Sequence, residues 1–251
     1  MTISSPDPRI HSINPTRRGT APYSPIPGIP IPHRPTIKGY DEFDQIGTTR
    51  NYRQGQLIFA EDDSANDHFK VVQGVVSTFR MLIDGRRQIT EFSMAGDYFG
   101  LFTGDSYKFS AQALMDATVI CYAKQRMDAW LERNPAGAKR LLALVSDKLC
   151  ATHEHTLILG RMSAREKVAA FLLQMAERTA EPKIDRDKHC GQVLLPMTRL
   201  DIADYLGLTI ETTSRTFHGL KHSRIIALPE PNRVLLLRPD LLQRIVSGQE
   251  Q

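Results

Sequence analysis

The stretch that decides the fold is DIADYLGLTIETTSR, residues 201–215. Apolar residues at helical spacing on either side of Gly207 predict two short helices joined by a glycine turn. In a helix-turn-helix, the second of two such helices enters the major groove of DNA. The stretch therefore predicts a nucleic-acid reading unit in the C-terminal third of the chain.

The first two turns of the second helix carry side chains suited to reading base edges. Glu211 and Arg215 stand four positions apart, so they share one face of a helix that begins near Thr209. Arginine bonds O6 and N7 of guanine, and a carboxylate accepts from N4 of cytosine, so the two can read one G·C pair while the carboxylate orients the guanidinium. The predicted base-reading residues are Ile210, Glu211, Thr213, Ser214 and Arg215. An ordinary surface ion pair is the competing interpretation.

Hydroxyl and cationic side chains near these helices are suited to phosphates, which position a protein on DNA without specifying sequence. Thr198 also has the place of a helix N-cap, with Asp201 three residues later. The predicted phosphate contacts are Thr198, Arg199, Thr209, Lys221, His222 and Arg224.

The flanking sequence completes a winged helix-turn-helix domain over residues 161–251. A helix is predicted over 163–178, with Ser163 and Glu166 at capping-box spacing, and a short strand over 193–195. After the reading helix, strands over 225–228 and 233–237 with a turn at 229–232 predict a hairpin, which is the wing.

A long helix is predicted over residues 135–160, directly upstream. Residues at alternating spacings of four and three form a heptad seam that begins at Ala138. A helix that lies between two domains would leave this apolar seam exposed to solvent. We therefore expect a second copy of the chain to cover it in a parallel two-fold dimer. The alternative is that the seam packs on its own barrel. The predicted interface residues are Leu142, Val145, Leu149, Thr152, Thr156 and Leu159.

Residues 39–134 read as a β-barrel and residues 1–38 as an irregular arm. Short β-runs separated by turn signals, without helices between them, predict a jelly roll, with Asp84-Gly85 as a two-residue hairpin turn. The arm holds nine prolines and almost no apolar periodicity. The fold class is thus α+β: an N-terminal β jelly-roll barrel like those that bind cyclic nucleotides, a long dimerisation helix and a C-terminal winged helix-turn-helix.

Composition favours a globular binding protein over an enzyme or a membrane protein. The net charge is +4, and residues 1–38 carry +4, residues 39–160 carry −3 and residues 161–251 carry +3, so the excess of cations lies where a polyanion would use it. No apolar run reaches the roughly 18 residues that span a bilayer, and the N-terminus lacks a signal-peptide core, so we expect a cytoplasmic protein. No nucleophile–base–acid set appears, and a metal-dependent cupin enzyme would need more barrel histidines than His68.

The order barrel, long helix, winged helix, with LTIETTSR (residues 208–215) in the reading position, resembles the CRP/FNR superfamily of bacterial transcription regulators. The segment GRMSAREKVAAFLL (residues 160–173) resembles its FixK-type branch. The resemblance implies a homodimer that reads palindromic double-stranded DNA of the TTGA…TCAA type, recruits RNA polymerase and activates transcription. In this role Glu211 and Arg215 read the G·C pair, and Ser214 reads a neighbouring T·A pair.

The same resemblance raises the question of a ligand. Family members that bind cyclic nucleotides carry Gly-Glu and Arg-Ser pairs, whereas this chain has Gly100-Leu101 and Phe109-Ser110. A buried phosphate needs a paired cation, which phenylalanine does not supply. With three separated cysteines and none before Cys121, an iron–sulfur cluster is not expected either, and we predict neither cofactor nor metal.

Cys190 is the candidate for control. It follows Arg186, Lys188 and His189, and positive neighbours favour the thiolate, which is the form that oxidises. We expect redox inactivation through Cys190. The alternative is a regulator gated by a small molecule in the barrel.

Overall fold

Two four-stranded antiparallel sheets form the N-terminal part of the protein. The computed structural model describes residues 42–102, 104–179 and 191–249. After a 3-10 helix at Glu42–Ile46, the strands are β1 (Thr48–Tyr52), β2 (Leu57–Phe59), β3 (Asp67–Gln73), β4 (Val75–Met81), β5 (Arg87–Met94), β6 (Tyr98–Phe99), β7 (Ser110–Ala113) and β8 (Ala117–Ala123). The sheet orders are β1-β8-β3-β6 and β2-β7-β4-β5. This confirms the predicted jelly roll.

The hairpin between β4 and β5 differs from the prediction. Met81 pairs with Arg87, and the turn is closed by a bond from Gly85 N to Leu82 O at 2.9 Å. Gly85 has φ +83°, whereas Asp84 is not among the residues with positive φ. A two-residue type I′ turn needs positive φ at both positions, so the two-residue prediction was wrong: the chain uses a longer loop with glycine in the left-handed position.

Stacked aromatic rings fill the inside of the barrel. Phe59 lies 3.8 Å from Tyr107 and 5.3 Å from Phe69, measured between ring centroids, and Phe69 lies 5.1 Å from Phe99. All four side chains are buried. These rings form the apolar core inside the barrel.

Two helices follow the barrel. Helix α1 (Lys124–Arg133) was not predicted, and it places Met127 in the core. Helix α2 (Pro135–Arg161) matches the predicted long helix and begins with proline at its first turn, where the missing N–H costs nothing.

The predicted seam of α2 does not pack on its own barrel. Leu142, Val145 and Leu149 are 69%, 44% and 55% exposed, and Thr152 and Thr156 are exposed as well. Leu159 differs, because it is half-buried with a methyl group beside Gly207 of the same chain. The alternative of packing on the barrel was therefore wrong for the greater part of the seam.

The C-terminal part is a winged helix-turn-helix, as predicted. Its elements are α3 (Ala164–Thr179), β9 (Gly191–Leu194), α4 (Arg199–Leu206), α5 (Ile210–His222), β10 (Ile226–Glu230), β11 (Arg233–Leu236) and α6 (Pro239–Val246). The antiparallel sheet has the order β10-β11-β9. Ser163 and Glu166 cap α3 reciprocally, with Ser163 N donating to Glu166 Oε2 at 2.7 Å.

The wing turn is shorter than predicted, because β10 runs through Pro229 and ends at Glu230. A proline fits there because β10 is an edge strand with a register shift between Ala227 and Glu230. The turn consists of residues 231–232.

One apolar core joins the barrel to the C-terminal part. Buried Phe79, Ile89 and Phe92 of the barrel belong to the same cluster as Phe171 of α3 and Leu206 of α4. The barrel also has an apolar cluster of its own around Phe59 and Phe69. The division into residues 1–38, 39–134, 135–160 and 161–251 remains a prediction.

Two predictions lie outside the described residues: the arm over residues 1–38 and the redox site at Cys190. No helix within the described ranges is long and apolar enough to cross a membrane.

Candidate nucleic-acid interface

Helix α4 is capped at both ends. Thr198 Oγ1 accepts a hydrogen bond from Asp201 N at 3.1 Å, and Asp201 Oδ2 accepts one from Thr198 N at 2.8 Å. At the other end, Gly207 adopts φ +60°, the left-handed conformation that other residues enter only with strain. The Thr198 hydroxyl, predicted to contact phosphate, is exposed but already donates to Asp201 Oδ2 at 2.6 Å.

Helix α5 presents most of the predicted base-reading residues to solvent. Thr209 is its N-cap and accepts from Thr212 N at 3.2 Å, which leaves the first turn regular. Ile210, Glu211 and Arg215 are exposed, and Ser214 is half-buried. These four side chains lie within the first two turns, where a recognition helix contacts base edges.

Glu211 and Arg215 are not paired with each other. No hydrogen bond or ion pair within the described part of the chain involves either side chain, and neither is buried. The expectation that the carboxylate holds the guanidinium plane does not apply to the protein without DNA. An exposed ion pair is worth little in water, so both groups remain solvated.

Thr213 cannot contact a base. Its side chain is fully buried beneath α5, and its hydroxyl has no hydrogen-bond partner among the described residues. The prediction that Thr213 reads DNA was wrong, because Thr213 stands on the inner face of the helix, two residues before the outward-facing Arg215.

Arg199 lies in an unusual environment for a cation. Its guanidinium carbon sits 3.8 Å from the ring centroid of Phe217 on α5, which is a close cation–π contact. Burial lowers the pKa of Arg199, and no carboxylate among the described residues pairs with it. The side chain thus links the two helices and keeps its N–H donors available for an anion.

The end of α5 holds the other predicted phosphate contacts. Lys221, His222 and Arg224 are all exposed. Arg224 adopts φ +53°, and the following residue, Ile225, donates its N–H to Leu220 O at 3.0 Å, so a left-handed arginine ends the helix. This conformation costs about 1–2 kcal/mol for a residue with a Cβ atom.

Two cations of the wing and of the start of α6 are paired, whereas four cations of the helix-turn-helix are not. Arg233 pairs with Glu230 at 3.5 Å and Arg238 with Asp240 at 3.0 Å. By contrast, no ion pair within residues 42–102, 104–179 and 191–249 involves the following four cations: Arg199, Arg215, Lys221 and Arg224. These four cations lie on α4, on α5 or directly after α5, the part of the chain predicted to meet DNA.

The barrel offers little chemistry for a metal or a reactive thiol. Within the described residues, no three His, Cys, Asp or Glu side chains come together as a metal site requires. Burial raises the pKa of the Cys121 thiol to about 11, which keeps it protonated and unreactive. Cys150 is exposed on α2.

Comparison with known proteins agrees with this geometry. Residues 166–245 match the Crp-like helix-turn-helix domain, and residues 49–134 match the cyclic nucleotide-binding domain. The chain is 41% identical over 187 residues to the nitrogen fixation regulation protein FixK of Bradyrhizobium diazoefficiens, covering 74% of this chain and 77% of that protein. It is 40% identical over 202 residues to FixK of Azorhizobium caulinodans, covering 80% of each.

The structure of FixK2 from Bradyrhizobium japonicum superposes on the protein with a TM-score of 0.74 at 35% identity, covering 80% of this chain and 97% of that one. Sequence and fold therefore agree over the barrel, the long helix and the winged helix.

Proposed function

Because the chain belongs to the CRP/FNR family of transcription regulators, and within it to the FixK type, we propose that it binds TTGA…TCAA-type palindromes as a homodimer and activates transcription. Membership in this family already makes the protein a DNA-binding transcription regulator and not an enzyme. The proposal concerns the sequence that is read, the oligomeric state and the control.

The observation that carries the proposal is the exposed pair Glu211 and Arg215 at the start of α5. Both groups are solvated and free of ion pairs with other described residues. They can reach the two bases of one G·C pair, with Ser214 beside them for a neighbouring base. The unpaired Arg199, Lys221 and Arg224 flank them as phosphate contacts.

The solvent-exposed heptad seam of α2 supports the homodimer. Its apolar residues are exposed in the single chain, and a two-fold copy would bury them against each other. Two reading helices would then enter successive major grooves about one helical turn apart.

Arg215→Ala tests the reading of DNA. We expect it to weaken binding to the palindrome by about 1–3 kcal/mol and to abolish the preference for the G·C pair at one position of each half-site. Fluorescence anisotropy with duplexes changed at that position measures both effects.

Lys221→Ala is the matched control, because it removes a cation from the same helix at a site proposed to contact phosphate. It should weaken all duplexes alike and lower the slope of binding against salt by about one. If Arg215→Ala also weakened all sequences equally, Arg215 would be a phosphate contact and the proposed reading of the G·C pair would be wrong.

We further propose that the protein recruits RNA polymerase and acts in the cytoplasm, where DNA is accessible. Both are supported by membership in a family of transcription regulators. An in vitro transcription assay on a promoter with the palindrome tests activation.

Redox control through Cys190 is the proposed input. The sequence places Arg186, Lys188 and His189 immediately before this thiol, and oxidation to a sulfinate or sulfonate would add negative charge near the DNA backbone. Peroxide should weaken DNA binding by the parent protein and spare Cys190→Ala. Cys150→Ala is the control, because Cys150 is exposed yet distant in sequence from the reading unit, and it should respond like the parent. If peroxide reduced the DNA affinity of the parent and of Cys190→Ala equally, redox regulation through Cys190 would be wrong.

A further inference from the structure

An arginine of the barrel holds the first helix of the helix-turn-helix through two carboxylates. Arg87, at the start of β5, donates from Nε to Asp204 Oδ2 at 2.7 Å and from Nη2 to Asp201 Oδ1 at 2.5 Å. All three side chains are largely buried, at 21% exposure or less. Burial alone would lower the pKa of Arg87, but its bonds to the two carboxylates outweigh this effect and raise it, so the clamp stays charged.

Asp201 connects this clamp to the end of α4. One of its oxygens binds Arg87, while the other accepts from both the amide and the hydroxyl of Thr198. Arg199, which directly follows Thr198 in the chain, stacks on Phe217 of α5. A continuous set of contacts therefore runs from the barrel through α4 to the reading helix.

Other contacts also join the barrel to the C-terminal part. Tyr205 of α4 packs at a tilt against Phe92 of β5 and stacks on His155 of α2, at centroid distances of 4.9 and 4.1 Å. Arg178 of α3 bonds to Asp97 and to Phe92 O of the barrel. Apolar packing tolerates small rotations, whereas two hydrogen bonds from one planar guanidinium fix an angle. Arg178 does this for α3, and Arg87 does it for α4, the first helix of the helix-turn-helix.

We propose that Arg87 is a positioning residue that locks each reading unit to its barrel in the orientation in which both copies of a dimer reach one palindrome. This inference rests on the proposed function. The clamp occupies α4 and leaves Glu211 and Arg215 of α5 exposed, so the locked form is open to DNA. A reading unit released from the clamp spends only part of its time in this orientation, and apparent affinity falls in proportion to that fraction.

The proposal distinguishes a palindrome from a single half-site. Both reading units must be oriented together on a palindrome, whereas one unit binds a half-site whatever its angle to the barrel. Arg87→Ala should therefore weaken palindrome binding about tenfold, or ~1.4 kcal/mol, and change half-site binding at low salt by less than about twofold. A helix-turn-helix that was merely misfolded would lose both.

Arg80→Ala is the matched control. Arg80 lies on the neighbouring strand β4 and pairs with Glu61 within the barrel at 2.7 Å. It makes no hydrogen bond or ion pair to α4 among the described residues. It should bind both duplexes as the parent does. Equal binding of the palindrome by Arg87→Ala and the parent, or tighter binding by Arg87→Ala, would overturn the proposal.

If Arg87→Ala is unstable, swapping the charges of Arg87 and Asp204 still tests the proposal. Arg87→Asp combined with Asp204→Arg should recover palindrome affinity relative to Arg87→Asp alone, and absence of recovery would count against the lock. Hydrogen exchange of the α4 amides, faster in Arg87→Ala than in Arg80→Ala, reports the lock without DNA. A parent protein without preference for the palindrome would refute the proposed function, while the exchange result would still decide the role of Arg87.

Discussion

At the scale of single residues, burial divides the polar side chains of α5 into two groups. Glu211 and Arg215 are exposed, whereas Thr213 between them is completely buried with an unpartnered hydroxyl. Chemistry alone made all three candidates for base contacts. Only their angular position around the helix separates them, and one position of sequence changes that angle by about 100°.

Thr213→Val tests this division. Removing a buried hydroxyl that has no partner relieves an unmet desolvation cost, so we expect the free energy of unfolding to change by less than about 1 kcal/mol or to rise. DNA affinity should stay the same on every duplex. Chemical denaturation and anisotropy measure the two quantities.

Ser214→Ala, at the adjacent half-buried position, is the comparison and should weaken binding at one base pair. Loss of affinity in Thr213→Val with Ser214→Ala unchanged would return the base contact to Thr213.

At the scale of elements, the long helix α2 is divided by function around its circumference. Lys148 bonds Glu91 of the barrel at 2.7 Å and Ala151 is buried, which marks the side that faces the rest of the chain. Leu142, Val145 and Leu149 lie on the exposed seam. Helix α2 thus supports the barrel with one side and leaves an apolar stripe on another.

Leu149→Glu tests the use of this stripe. We expect it to convert a dimer into a monomer, because two leucines leave the interface at about 1.5–3 kcal/mol each and two carboxylates face each other in their place. Sedimentation measures the oligomeric state, and palindrome affinity should fall with it.

Leu157→Glu is the control on the same helix. Leu157 is also 55% exposed but stands outside the heptad seam, so this variant should remain a dimer. A dimeric Leu149→Glu protein would show that the seam is not the interface.

At the scale of the whole molecule, the barrel is connected to the reading unit and filled with its own side chains. The core that contains Phe92 continues into α3 and α4, and the Arg87 and Arg178 bonds cross the same boundary. Phe59, Phe69 and Tyr107 stack within the barrel. The barrel shares its fold with domains that bind cyclic nucleotides.

Calorimetry with cyclic AMP and cyclic GMP tests the proposed absence of a nucleotide ligand. We expect no saturable heat up to about 1 mM nucleotide, and no change in DNA affinity, because the aromatic rings leave no room and Phe109 supplies no cation for the phosphate. Saturable binding that altered DNA affinity would favour the alternative of a regulator gated by a small molecule.

The amino-acid sequence by itself determined the order of barrel, long helix and winged helix, because each depends on local periodicity and on capping residues such as Thr198 and Gly207. It also identified the outward pair Glu211 and Arg215, since four-residue spacing defines a helix face. Strand β6 was missed because two residues carry no recognisable pattern, and helix α1 was missed as well.

Only the tertiary structure decided which side chains are buried and which distant ones meet. In the structure Thr213 is buried rather than on the reading face, and the β4–β5 loop is longer than predicted. Arg199 stacks on Phe217. The tertiary structure also brought Arg87 to Asp201 and Asp204, more than 110 positions away along the chain. No local pattern encodes such a contact, because it arises from the packing of one folded unit against another.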